Sequence, residues 1–247
     1  MLSRRIYQFF LIYLLGLSAL MVFKYGLNLS DYVIPGPGEI VKTGRMYSGQ
    51  YFAAVLDTMV VAILGHFLSI VLATIVGVIG RLNLWIGSFI RVAAFNIQAY
   101  PIVAVAPIIF ILLGDGLSSR LLIAAMICYF PLLLSIIGIL TEPVTEIEHF
   151  FESTRRMNWR LQTRIRAFEN IQKLITVVVG SATLAMVGTI VAEFIAADAG
   201  IGYSIRIALF QSDLAKILIA LFFIGLCTSL YLVCLEWIGR IFQRRWE

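Results

Sequence analysis

Charge is what this sequence has least of. Only 13% of its 247 residues are Asp, Glu, Lys or Arg, and a soluble domain needs a far larger wetted surface than that. Histidine is scarcer still: His66 and His149 stand far apart, and no His, Cys and carboxylate cluster has metal-ligand spacing. No Gly-Lys pair occurs, which excludes the phosphate-cradling GxxxxGK[ST] loop, and the GxSxG nucleophile turn is also missing. The chain is therefore expected not to be an enzyme, to hold no metal and no cofactor, and to take any energy from a partner or an ion gradient. Its three cysteines, Cys128, Cys227 and Cys234, fall inside apolar runs and read as small packing residues.

What the sequence has instead is oil, with 61% of its residues hydrophobic. Six apolar runs reach membrane-spanning length: 6–23, 58–80, 92–113, 121–140, 174–191 and 217–235. None alternates as the strands of a β-barrel would. The expected fold is all-α and integral to the membrane, a single domain over 1–247 with six transmembrane helices. The first run follows Arg4 and Arg5, but it exceeds a signal-peptide core and lacks a clear small-x-small cleavage site, so it reads as a retained helix.

Basic residues set an orientation. With a cytoplasmic N-terminus, six spans return the C-terminus to the cytoplasm. Arg4, Arg5, Arg81, Arg91, Arg155, Arg156, Arg160, Arg164, Arg166, Lys173, Arg240, Arg244 and Arg245 then share that side. Lys24, Lys42, Arg45, Arg120, Arg206 and Lys216 fall outside, which is the positive-inside bias. The net charge of +5 is thus explained by lipid headgroups, with no nucleic-acid motif beside it.

Outside, residues 24–57 contain "VIPGPGEIVKTG", where Pro35 and Pro37 stiffen a turn ahead of an expected short interfacial helix. Within the third run, Asn96, Gln98, Tyr100 and Pro101 interrupt the apolar pattern, as a bent helix lining a pathway would require; a kink buried by packing is the plainer alternative. His66 reads as a buried hydrogen-bonding residue. In the fifth run Ser181, Ala185, Gly188 and Ala192 recur at helical spacing, a helix-contact face within the chain or towards a second subunit. Glu193 ends that run and is expected near the outer interface, and Gly200 and Gly202 permit a tight reversal beyond it.

One stretch breaks the apolar character, "ESTRRMNWRLQTRIRAFENIQKL" at 152–174, where arginines are interleaved with Met157, Trp159, Leu161, Ile165 and Phe168. A purely solvated loop has no use for those apolar side chains. Four further segments stand in order: "IPGPGEIV", "YPIVAVAPIIFILLGDGLSSRL", "YFPLLLSIIG" and "VAEFIAADAGIGYSI". Together they resemble the membrane permease subunits of binding-protein-dependent ABC importers, in the branch that handles sulfonates, taurine, nitrate, bicarbonate and pyrimidine or riboflavin precursors. The resemblance runs from about Ile34 onward.

The basic stretch falls where that family carries its cytoplasmic coupling loop, here about 141–173. Glu152, Ser153 and Thr154 stand at the Glu-Ala-Ala positions, and Asn158 stands at the family's glycine. Phe168 stands at its isoleucine, while Asn170 and Ile171 replace Leu-Pro. The resemblance implies a type I importer permease. Glu152, Ser153, Thr154, Asn158 and Trp159 would contact the ATPase, with Glu152 to Trp159 as a short helix and Asn158 shaping a left-handed turn at its end. Asn96, Gln98, Pro101, Gly188 and Glu193 would line or gate the pathway, and Gly200 and Gly202 would form the external turn. Implied partners are two cytoplasmic ABC ATPase subunits, which hydrolyse the ATP, a second permease copy or paralogue, an extracytoplasmic solute-binding protein and membrane lipid. A stand-alone secondary transporter or channel is the alternative; it would favour ionisable groups deep in the spans, where His66 stands nearly alone.

Overall fold

The computed structural model describes residues 2–244, with side chains from Arg5 onward. Arg245, counted above among the basic residues, lies outside the described residues, as does the side chain of Arg4. Ten helices are described: α1 (Leu2–Gly26), α2 (Pro37–Ile79), α3 (Leu84–Gln98), α4 (Ile102–Leu113), α5 (Leu117–Thr141), α6 (Thr145–Ser153), α7 (Trp159–Glu169), α8 (Ile171–Ile195), α9 (Ile201–Phe210) and α10 (Leu214–Arg244). Helices α1, α2, α5, α8 and α10 are each long and apolar enough to cross a membrane, and α3 with α4 makes a sixth candidate bent by 90°. All six expected runs fall on these elements, apart from Gly80 and the break at 99–101.

Small residues let α2, α5 and α8 close into the centre of the bundle. Gly65 of α2 lies against Ala124 and Ala125, where a Cβ would stand 3.0 Å from the Ala124 methyl. Ser69 donates to the Gly65 carbonyl and, across the helix contact, to the Ala125 carbonyl at 2.9 Å. From the other side Gly188 of α8 meets the Ala124 Cα and the Ile127 side chain. Ala124 is wholly enclosed. Without a hydrophobic drive between helices in lipid, this close approach is what dispersion and interhelical hydrogen bonds need. The small-residue face of the fifth run therefore meets its own chain. His66 is buried between Ser181 and Tyr231, its ring nitrogens 2.9 and 2.7 Å from the two hydroxyls, as a packing histidine would be.

α1 and α10 flank this centre. Tyr13 donates to the Leu218 carbonyl at 3.0 Å, and an Arg5–Glu236 ion pair holds the start of α1 near the finish of α10. We call that end, which also carries α6 and α7, the base, and the opposite end the apex.

Two expectations are corrected. The segment after Pro37 is not a separate interfacial helix: α2 runs unbroken for 43 residues into the span. No proline follows Pro37 before Pro101, and Gly44 packs on Ile219 of α10, which holds the extension in register. The third run is not one continuous bent helix but two helices, separated by Ala99, Tyr100 and Pro101. Proline removes a donor and disfavours helix in the residue before it, so α3 ends ahead of Pro101, which becomes the N-cap of α4.

Candidate functional site

Three places carry polar chemistry: the α3–α4 break, a buried ion-pair cluster at the apex, and a helical hairpin at the base.

The break lies at mid-bundle. Ala94 of α3 packs into a cluster with Leu132, Leu133 and Ile136 of α5, whereas Ala106 and Ile109 of α4 pack with Ile123. Between those levels Asn96, Gln98, Tyr100 and Pro101 are all exposed on the surface of the chain. The Asn96 amide donates to the Val92 carbonyl of its own helix at 2.9 Å. Uncharged hydrogen-bonding groups, an aromatic ring and an interrupted backbone thus share one unpartnered surface at membrane depth, an arrangement tolerated only where protein or water covers it.

At the apex, Glu193 closes α8, as a residue at the end of a span, but it is enclosed by protein. It is fully buried, and so is Thr58 of α2. Arg120 of α5 pairs with Glu193 and, at 2.7 Å, with Asp57, whose side chain is 47% exposed. One Nη2 serves both carboxylates, and the Arg120 Nε is buried with no acceptor among the described residues. The Thr58 hydroxyl donates to Glu193 Oε2 at 2.7 Å and accepts the Ile201 N–H at 2.9 Å. Gly202 N–H donates to the same Oε2 at 3.0 Å. Glu193 therefore caps the N-terminus of α9, where free amides and the helix dipole favour an anion.

This capping explains the two glycines. Gly200 has φ +93°, and any Cβ there would strike the Glu193 carboxylate. A Cβ on Gly202 would lie 2.7 Å from Glu193 Cβ. The glycines do permit a turn, but their tighter duty is to let a carboxylate reach the backbone. Arg120 was missed as a site residue because, just before an apolar run, it reads as an ordinary flanking charge. A carboxylate ending an apolar run was the available signal, since it needs a cation.

At the base, α6 and α7 form a hairpin. Glu152 to Trp159 is not a short helix: α6 ends at Ser153, Thr154 is its C-cap, and α7 starts at Trp159. The left-handed residue is Arg155 (φ +54°), not Asn158. Asn158 is extended at φ −140° and accepts the Leu161 N–H at 2.9 Å, an N-cap in place of the expected turn residue. Glu152, Ser153, Thr154, Asn158 and Trp159 are nonetheless gathered on one exposed tip, with the Arg160 guanidinium 5.4 Å from the Trp159 ring.

The hairpin is held by residues outside that set. Glu148 of α6 is only 5% exposed and receives Arg166 Nε at 2.6 Å and Nη2 at 2.7 Å, a bidentate pair. It also accepts from Gln162 at 2.9 Å and from the Val144 N–H at 3.0 Å, capping its own helix. Arg166 Nη1 donates to the Thr141 carbonyl at 2.8 Å, fastening the hairpin to the end of α5. The Arg166 bond holds the Glu148 carboxyl well below the usual range, at about 2. Arg81, beyond α2, donates to Gln162 at 2.8 Å, and burial pushes its pKa down, with Arg166 adding repulsion.

Long apolar helices, an uncharged break and an arginine-rich basal hairpin fit a transport subunit. Residues 69–247 match the binding-protein-dependent transport system inner membrane component, and the chain belongs to that family. It is a multi-pass membrane protein, the transmembrane permease component of an ABC importer, and works with an ABC ATPase and a solute-binding protein. Among its relatives is the riboflavin transport system permease protein RibX of Chloroflexus aurantiacus, 31% identical over 241 residues, covering 94% of this chain and 88% of that one. The formylaminopyrimidine transport permease protein ThiX of Halalkalibacterium halodurans is 23% identical over 196 residues, covering 79% and 78%.

Proposed function

We propose that this permease imports a nitrogen-heterocyclic solute of the vitamin or vitamin-precursor kind, along a pathway lined by the α3–α4 break. The single observation that carries the reading is the exposed, uncharged polar and aromatic group at mid-bundle: Asn96, Gln98, Tyr100 and Pro101. Amides offer matched donors and acceptors to a ring edge, and a tyrosine offers a face to its plane. An anion pathway would call for cationic groups there, and none of the four is charged. The two relatives, named for riboflavin and for formylaminopyrimidine, support that class of solute.

In this reading a second permease, a copy or a paralogue, covers the break from the other side, and both termini are cytoplasmic. Two ATPases receive the basal hairpins through the tip from Glu152 to Trp159. This chain binds no cofactor, and the ATPases hydrolyse the ATP. Gly188 and Glu193 act at one remove from the pathway, by fixing α8 against α5, α2 and α9.

The test is solute-stimulated ATP hydrolysis by the complex in vesicles, with its binding protein present. Riboflavin or formylaminopyrimidine is expected to stimulate, and taurine or nitrate is not. Asn96→Ala with Gln98→Ala should reduce uptake at least tenfold while sparing assembly. Stimulation by nitrate alone would overturn the solute class, and uptake without ATPase partners would favour the stand-alone transporter. Impermeant thiol reagents should label Gly49→Cys and Ser212→Cys from outside but not Gln162→Cys; labelling of the last would reverse the orientation.

A further inference from the structure

A membrane-facing groove runs between α8, α10 and α1, away from the α3–α4 break, and no transport step described above uses it. Its basal part encloses about 410 Å³ and continues into a second hollow of about 460 Å³; Arg5 and Thr183 line both. The two parts differ in chemistry. At the mouth stand Arg5, Arg240 and Gln172, whereas further in the walls are Phe9, Ile12, Val187 and Ile224. We propose that this groove binds one anionic phospholipid from the leaflet at the base, its phosphate between Arg5 and Arg240 and an acyl chain along α8.

Charge complementarity selects the headgroup. Arg5 is already paired with Glu236, and Arg240 is exposed with no carboxylate partner among the described residues, so the mouth holds one positive charge in excess. A basic pocket between transmembrane helices at a membrane surface is the kind of site that an anionic headgroup fills. Length selects a lipid over a free anion. From Gln172 to Thr183 the groove follows α8 for roughly 16 Å, about half of a roughly 30 Å hydrocarbon core. A small anion has no use for the apolar continuation.

The floor is built to be open. Gly180 faces the groove, and a Cβ placed on it would meet nothing within 4 Å.

The experiment exposes the full-length permease in its complex to vesicles of equal phosphatidylglycerol and phosphatidylcholine, then reads retained lipid by native mass spectrometry. The wild type should keep one phosphatidylglycerol per permease and little phosphatidylcholine. Arg240→Ala, on an exposed position, should weaken that preference about fivefold, as expected for roughly 1 kcal/mol per surface cation. Gly180→Phe should lose the lipid with every charge intact, its melting temperature showing that it has folded. Equal retention of the two lipids by the wild type, or unchanged retention in both variants, would overturn the proposal. So would displacement by inorganic phosphate, which would make this a free-anion site. Efficient disulfide cross-linking of Thr183→Cys between two copies would overturn it as well, because a second permease would then occupy the groove.

Discussion

The apex and the base each bury a glutamate against an arginine, yet the two pairs are built on different plans. At the apex Arg120 and Glu193 sit inside the membrane-spanning bundle and draw together four helices, α2, α5, α8 and α9. At the base Glu148 and Arg166 sit on short helices outside the spans and fasten a hairpin to the end of α5. The apex carboxylate is shared among one Arg120 nitrogen, the Thr58 hydroxyl and the Gly202 amide, which the glycines let it reach. The basal one is spent on a guanidinium that grips it with two nitrogens. The first arrangement fixes a junction, whereas the second is a clasp on a hairpin that stands outside the spans.

The comparison can be broken most severely at the apex. Arg120→Ala leaves Glu193 buried without its cation and should cost about 3–5 kcal/mol, seen as loss of assembled permease or a large drop in melting temperature. Arg120→Met with Glu193→Met should recover much of that loss, since a matched apolar pair carries no unpaired charge. If the double variant is as damaged as the single, the junction depends on the capping of α9 more than on the ion pair.

At the base the effect is smaller and depends on pH. The Glu148 carboxyl titrates at about 2 in the folded protein against an ordinary 4.5, so the folded state favours its charged form. Its contribution, on the order of 3 kcal/mol, is fully present above about pH 4.5 and is lost as pH falls towards 2. Thermal unfolding of the wild type should therefore show no pH dependence from Glu148 between pH 8 and 5. The gap between wild type and Glu148→Gln should be widest in that range and close below pH 4.5. A gap that stayed constant down to pH 3 would assign the clasp to shape rather than charge.

Gly200→Ala should destabilise by about 1–3 kcal/mol, because its methyl group meets Glu193 and its backbone is left-handed. Rescue by Glu193→Ala, measured as a melting-temperature cycle, would separate the clash from the backbone strain. Asn158→Ala removes the N-cap of α7 and should cost about 1 kcal/mol, read as faster tryptic cleavage at the hairpin tip. The smallest effect has the opposite sign. Arg155→Gly relieves a left-handed non-glycine residue and should stabilise the tip by about 0.5 kcal/mol, provided that Arg155 is not also an ATPase contact.

The spans were legible because length and apolarity are local properties: four runs lie wholly within one helix, the second overruns α2 by Gly80 alone, and the third falls on α3 and α4. What escaped were facts about distance along the chain. Asp57, Arg120 and Glu193 are far apart in sequence, and each alone looks like a charge at a helix end. Their meeting is decided by the packing of Gly65 and Gly188 on Ala124. The basal hairpin was misread for a different reason. Asn158 satisfies two local roles, a left-handed turn or an N-cap, and the exposed Leu161 amide three residues later favoured the second. The polar break was visible at Asn96, Gln98 and Pro101, but the size of the bend was not, since a proline alone licenses anything from a kink to two separate helices.

α2 has a mechanical consequence. At 1.5 Å per residue its 43 residues make a rod of roughly 64 Å, about twice the hydrocarbon thickness. Its glycine contact with the α5 backbone, at Gly65, lies off-centre, about 42 Å from Pro37 and about 21 Å from Ile79. A rod that rocks about that fulcrum has unequal arms. A displacement of about 1 Å at the base becomes about 2 Å at the apex, and a force applied at the apex arrives at the base roughly doubled. Gearing of this kind suits a machine whose fuel is consumed at one end and whose cargo is received at the other.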